Sequence, residues 1–172
     1  MTQRYALEHP ITRENAPLNF LKLFYPYHYA VGMAVEKHLA SGVLDRHQTV
    51  ILWLIHSKGE GGTSLPRKVI EQLIGEWYDL GSPAITKALR KLAQPPLDLI
   101  SIDESKASGR EKIISLTPAG QEFVARMVAS GADFIAQIVD HLSDAQIHAG
   151  MSFMARVSEV VEVDIQAPRG ER

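Results

Sequence analysis

Between Ser82 and Leu92 the sequence places polar and cationic side chains on one side of a short helical segment and apolar ones on the other. Ile85, Leu89 and Leu92 fall at i, i+4 and i+7, so they share a face that packs inward. Ser82, Pro83, Thr86, Lys87 and Arg90 lie on or near the opposite side, and Lys91 adds a further cation. These residue types bind rather than break bonds. The major groove of DNA accepts one α-helix, and side chains near its N-terminus reach base edges. Arg90 has the fork that fits a guanine, and Thr86 suits a thymine methyl or a phosphate. Ser82, with the backbone amides beside it, suits a phosphate oxygen. A second polar run, Glu104-Ser105-Lys106-Ala107-Ser108-Gly109-Arg110, joins two short strand-like stretches. Lys106, Ser108 and Arg110 there sit among small residues that let a loop tip approach a narrow groove, where arginine gains from enhanced negative potential.

Catalytic chemistry finds no comparable foothold. Without cysteine there is no thiol nucleophile, thiolate zinc site or iron–sulfur cluster. The glycine run Gly59-Glu60-Gly61-Gly62 lacks the Lys-Ser/Thr of a phosphate loop, and no Gly-x-Ser-x-Gly elbow or paired carboxylate motif occurs. Seven histidines include His38, His47, His141 and His148, but none forms a His-x-x-x-His pair. The expectation is a protein that is not an enzyme, with no metal and no cofactor.

The elements that must position the binding residues follow from periodicity. The 172 residues are 45% hydrophobic and 22% charged, an ordinary globular balance. The net charge is −2, but the segment 82–116 carries +2 and the segment 117–172 carries −4. No apolar stretch is long enough for a membrane span, and the charged start MTQRYALEHPITREN does not read as a signal peptide, so a cytoplasmic location is expected. Pro17 opens a helical pattern through Phe20, Leu23, Phe24, Tyr27, Val31, Val35 and Leu39, with a kink or break expected at Pro26 and an end at Gly42. Asp45-x-x-Gln48 forms a capping box for a second helix, and the turn Lys58–Gly62 follows it. A third helix is expected from near Ser64 and Pro66 to Leu80-Gly81, and a fourth from Pro83 to about Ala93 with Ser82 as N-cap. Alternation from Leu97 to Asp103 and from Glu111 to Leu116 predicts a two-stranded hairpin. Thr117-Pro118 and Ser143-x-x-Gln146 open two further helices, and a mobile tail is expected from Gln166.

That order is the plan of a winged helix-turn-helix flanked by extra helices. Here the chain resembles the MarR family of bacterial transcriptional regulators, over about Leu44 to Gly120. The carriers are Leu44-Asp45-x-x-Gln48 with Ile51-Leu52-x-Leu54, the run Ala84 to Leu92, Leu99-Ile100, and Arg110 followed by Ile114-Ser115-Leu116-Thr117-Pro118-x-Gly120. Family wings commonly carry Asp-x-Arg, whereas Ser108 stands in the aspartate place here. The connection Glu76–Gly81 also reads as longer than the family's turn.

The resemblance implies a mainly α fold with a small β-hairpin, a winged helix-turn-helix plus a helical dimerisation region. It divides the chain into 1–43 (arm and dimerisation helix), 44–117 (DNA-binding domain), 118–165 (C-terminal dimerisation helices) and 166–172 (tail). It implies a homodimer, which the length and apolarity of the last two helices also favour. The expected function is a repressor that reads a pseudo-palindromic operator in double-stranded DNA and is relieved by a small aromatic or anionic effector. Tyr27, His28, Trp53 and His56 have the side chains to line an effector pocket. The alternative reading is a winged-helix module that binds protein instead of DNA.

Overall fold

The spacing of apolar residues between 46 and 58 turns Ile51, Leu52, Leu54 and Ile55 toward one centre, and all four are buried there. The computed structural model describes residues 6–78, 81–105 and 111–161. Its elements in chain order are α1 (Ala16–Tyr27), a π-helical turn (His28–Gly32), α2 (Met33–Ala40), α3 (Arg46–Lys58), β1 (Ser64–Pro66), α4 (Arg67–Tyr78), α5 (Ser82–Leu92), β2 (Ile100–Glu104), β3 (Lys112–Leu116), α6 (Pro118–Val139) and α7 (Asp144–Val160). The expected mainly helical winged architecture is present, with more strand than the pattern shows. The chain divides into two units, Met1–Ala132 and Asp133–Arg172.

In the first unit, α3, α4, α5 and the sheet enclose the core. Ile70 and Ile74 of α4, Ile85, Leu89 and Leu92 of α5, Ile100 of β2, Ile114 and Leu116 of β3 and Met127 of α6 join the four α3 residues. The sheet is antiparallel in the order β1-β3-β2, and Ile114 of β3 lies between Leu65 and Ile102. The expected two-stranded hairpin is therefore corrected to three strands, and the third helix begins at Arg67, not near Ser64. Three residues are too few to show alternation, and Pro66 resembles a helix start. A proline is tolerated here because β1 is an edge strand that needs no N–H on its open side. The turn before β1 closes through Glu60 N–H to the Ser64 carbonyl at 2.8 Å.

The long N-terminal pattern is also divided. Pro26 stays within α1, and the irregularity comes directly after it. The π turn closes with Met33 N–H donating to the His28 carbonyl, one residue wider than an α turn. Ser41 ends α2 in the left-handed region at φ 51°. Both predicted capping boxes form, Asp45 with Gln48 and Ser143 with Gln146. Strand β2 starts later than the alternation implies, because Asp98 takes a positive φ of 47° and interrupts the run.

The second unit contains the last turns of α6 and all of α7, which has no buried residue. Met151, Phe153, Met154 and Val157 of α7 are all exposed. Among the described residues no helix is long and apolar enough to cross a membrane.

Candidate nucleic-acid interface

Helix α5 is held by a wholly apolar inner face, formed by Ile85, Ala88, Leu89 and Leu92. Helical spacing then puts Pro83, Lys87 and Arg90, at i, i+4 and i+7, along the middle of the outer face, and all three are exposed. Lys87 and Arg90 have no ion-pair partner among the described residues, so their charge is available. These three are where the sequence pattern puts them.

The other α5 residues divide to the two flanks. Thr86 is half-buried and turned toward α4, where Arg67 Nη2 donates to its Oγ1 at 2.8 Å. Ser82 is not the N-cap: Gly81 occupies that position, and Ser82 is the first helical residue. Its hydroxyl donates to Glu71 Oε1 at 3.2 Å. Ser82 and Thr86 are thus engaged in hydrogen bonds within the protein. On the far flank Lys91 Nζ lies 3.9 Å from Asp45 Oδ2, turned toward the start of α3. The loop-tip residues Lys106, Ser108 and Arg110 lie outside the described residues.

Between α5 and the sheet opens a groove of about 540 Å³ whose lining includes Arg67, Arg90, Gln94, Ser101 and Lys112. Three cations and several hydrogen-bonding groups therefore border the outer edge of α5. Arg67 and Lys112 carry no periodic signal of their own. The one cue for Arg67 is the Arg67-x-x-x-Glu71 spacing, an i, i+4 ion pair with Nη2 to Oε1 at 2.7 Å.

The connection between α4 and α5 includes Asp79 and Leu80, which lie outside the described residues. Trp77 and Tyr78 belong to α4, and α5 begins at Ser82. Tyr78 receives the Arg46 guanidinium 5.0 Å above its ring, and Arg46 also donates to Glu36 Oε1 at 2.7 Å. The hydrogen bond to Glu36, chiefly, holds the Arg46 guanidinium above its ordinary pKa. This chain of contacts links α2, the start of α3 and the end of α4.

Of the suggested effector residues, Trp53 and His56 lie on α3, Tyr27 ends α1 and His28 opens the π-helical turn. Trp53 and His56 are neighbours on α3 with ring centroids 6.0 Å apart. His28 stacks on Phe24 at 5.7 Å, and Tyr27 beside it is exposed.

Comparison with known proteins agrees with this geometry. Residues 44–120 match the family described as Winged helix DNA-binding domain, a binding family and not a catalytic one. No curated protein sequence matches the chain significantly. Among solved structures, a MarR family protein from Bacillus stearothermophilus aligns with TM-score 0.70 at 12% identity, covering 88% of this chain and 99% of that one. A MarR family transcriptional regulator from Streptomyces coelicolor, solved in complex with DNA, aligns with TM-score 0.58 at 15% identity, covering 88% and 93%. BpsR of Bordetella bronchiseptica, whose structure concerns regulation of DNA binding by 6-hydroxynicotinic acid, aligns with TM-score 0.57 at 17% identity, covering 87% and 97%. Residues 44–120 thus match a winged helix DNA-binding domain family, and the fold of the chain is the one found in MarR family regulators.

Proposed function

We propose that this protein is a homodimeric, sequence-specific transcriptional regulator of the MarR type. Each subunit places α5 in a major groove, with Pro83, Lys87 and Arg90 facing the bases and backbone, and directs the loop with Lys106, Ser108 and Arg110 toward the adjacent minor groove. The observation that carries this reading is the exposed Lys87–Arg90 stripe, without an ion-pair partner among the described residues, on a helix whose inner face is packed into a winged core. A regulator of this kind acts on cytoplasmic DNA.

The second copy is argued from two exposed apolar surfaces. Helix α1 exposes Leu21 at 60% and Phe24 at 53%, and α7 exposes Met151 at 67%. Exposed apolar area of this density marks association surfaces. A two-fold pair then reads two half-sites about one helical turn (~10 bp) apart. Two solved structures of this fold are described with DNA or with a small molecule that regulates DNA binding. By that likeness the protein is a repressor relieved by a small aromatic or anionic effector, with Tyr27, His28, Trp53 and His56 as the residues to line its site. Such a ligand acts by favouring a dimer shape whose reading helices no longer match the groove spacing.

Selection of duplexes from a random pool by the purified protein tests the proposal. The expected product is a pseudo-palindrome bound with steep salt dependence. Failure to enrich any sequence at low ionic strength contradicts it and favours a winged module that binds protein.

A further inference from the structure

Arg67, the first residue of α4, donates through Nε and Nη2 to Glu71 Oε1 at 2.9 and 2.7 Å. Its Nη2 also donates to Thr86 Oγ1 at 2.8 Å, and Glu71 Oε1 accepts from the Ser82 hydroxyl at 3.2 Å. Thr86 Oγ1 donates in turn to the Ser82 backbone carbonyl at 2.8 Å. These bonds close a ring through Arg67, Glu71, Ser82 and Thr86 that crosses from the first turn of α4 to the first turn of α5. The Arg67 and Glu71 side chains are only 24% and 31% exposed, so water competes less for their charge-assisted bonds than at an open surface.

An i, i+4 pair that served α4 alone would need no partner on another helix. Here each member makes a second bond, and both second bonds go to α5. Ile70 and Ile74 of α4 and Ile85 and Leu89 of α5 also share the apolar core. Apolar burial holds helices together but is non-directional. Hydrogen bonds weaken away from linearity, so the ring adds a directional restraint on the rotation of α5 to the one its packed inner face supplies. That rotation decides where Lys87 and Arg90 point.

We infer that Arg67 is a positioning residue for the reading helix: with Glu71 it braces Ser82 and Thr86, so that Pro83, Lys87 and Arg90 meet DNA in one orientation. The inference rests on the DNA-reading function proposed above. Lysine cannot replace Arg67, because a compact ammonium lacks the planar fork that reaches Glu71 and Thr86 together.

The test compares wild type with Arg67→Ala, Arg67→Lys and Glu71→Ala. Two readouts are needed: hydrogen exchange of the α5 amides, and affinity for the duplex that wild type selects from a random pool beside a scrambled duplex of equal length. All three variants should speed exchange in the first turn of α5 and weaken the selected duplex about ten-fold, with the scrambled duplex held within about three-fold. Glu71→Ala is the most discriminating, since it removes a negative charge near DNA and would otherwise tighten binding. The double variant Arg67→Ala/Glu71→Ala should lose no more than the worse single one. Unchanged exchange in Arg67→Ala, full rescue by Arg67→Lys, or tighter binding of both duplexes by Glu71→Ala overturns the brace. Equal loss on both duplexes in Arg67→Ala also overturns it, by making Arg67 a phosphate contact. A wild type that selects no duplex overturns the DNA-reading function and this role with it, and is told apart by the exchange data.

Discussion

The Thr117 hydroxyl donates to the Asp98 carbonyl at 2.7 Å, joining the entry of β2 to the start of α6. The same oxygen accepts the Gly120 N–H at 3.0 Å, so Thr117 caps α6 while it holds the strand. A side chain on Gly120 would run into the Leu99 carbonyl. The sequence Leu116-Thr117-Pro118-x-Gly120 is therefore a joint with three mechanical parts: a buried anchor, a cap and a close approach. Thr117→Val should destabilise the fold by about 1 kcal/mol through loss of the cap. Gly120→Ala should cost about 1–3 kcal/mol or more, because the obstacle is backbone and cannot step aside. Urea denaturation checks both, and midpoints equal to wild type would contradict the joint.

The proposed function gives the cations on the outer face of α5 separate roles. Arg90→Ala should weaken the selected duplex by ~1–3 kcal/mol and relax preference at one base position. Lys87→Ala should weaken all duplexes alike and flatten the salt slope by about one unit. Lys91, turned toward Asp45 at 3.9 Å, should change affinity by less than either. Fluorescence titrations at several salt concentrations measure all three. A Lys91→Ala loss larger than that of Arg90→Ala would contradict the assignment of faces.

Much of the fold is legible from spacing and capping alone. Asp45 with Gln48, Ser143 with Gln146, and the i, i+4, i+7 stripe of α5 are local signals, and local signals survive folding. What is not legible depends on contacts between distant segments. Strand β1 exists only because Leu65 pairs with Ile114, and three residues show no period. Ser82 looks like a cap, but Glu71, eleven residues earlier, draws its hydroxyl away. Thr86 looks outward on a wheel, yet Arg67 claims it from nineteen residues away. The exposed stripe Pro83, Lys87 and Arg90 could thus be found from α5 itself, whereas the bonds of Arg67 and Glu71 to Thr86 and Ser82 could not.

Association should depend on the exposed apolar residues of α1 and α7. Leu21→Lys with Met151→Lys should shift the particle from dimer to monomer in light scattering, while leaving the circular dichroism of the helices intact. The same variant should bind the full site little more tightly than a single half-site, because linked binding is lost. A double-lysine variant that stays dimeric would place the interface elsewhere.

An effector should be felt at Trp53, which is 38% exposed beside His56. Small phenolic and carboxylate compounds that raise the melting temperature of wild type should fail to raise that of Trp53→Ala, and should release wild type from DNA. Compounds that stabilise both proteins equally would bind at another place.

The central claim is that two copies of α5 read one duplex. Footprinting on the duplex enriched from a random pool tests it most directly. The account predicts protection of two inverted half-sites about one helical turn (~10 bp) apart, lost on both halves together in Arg90→Ala. Protection of one asymmetric site, or a footprint unchanged by Arg90→Ala, would contradict it.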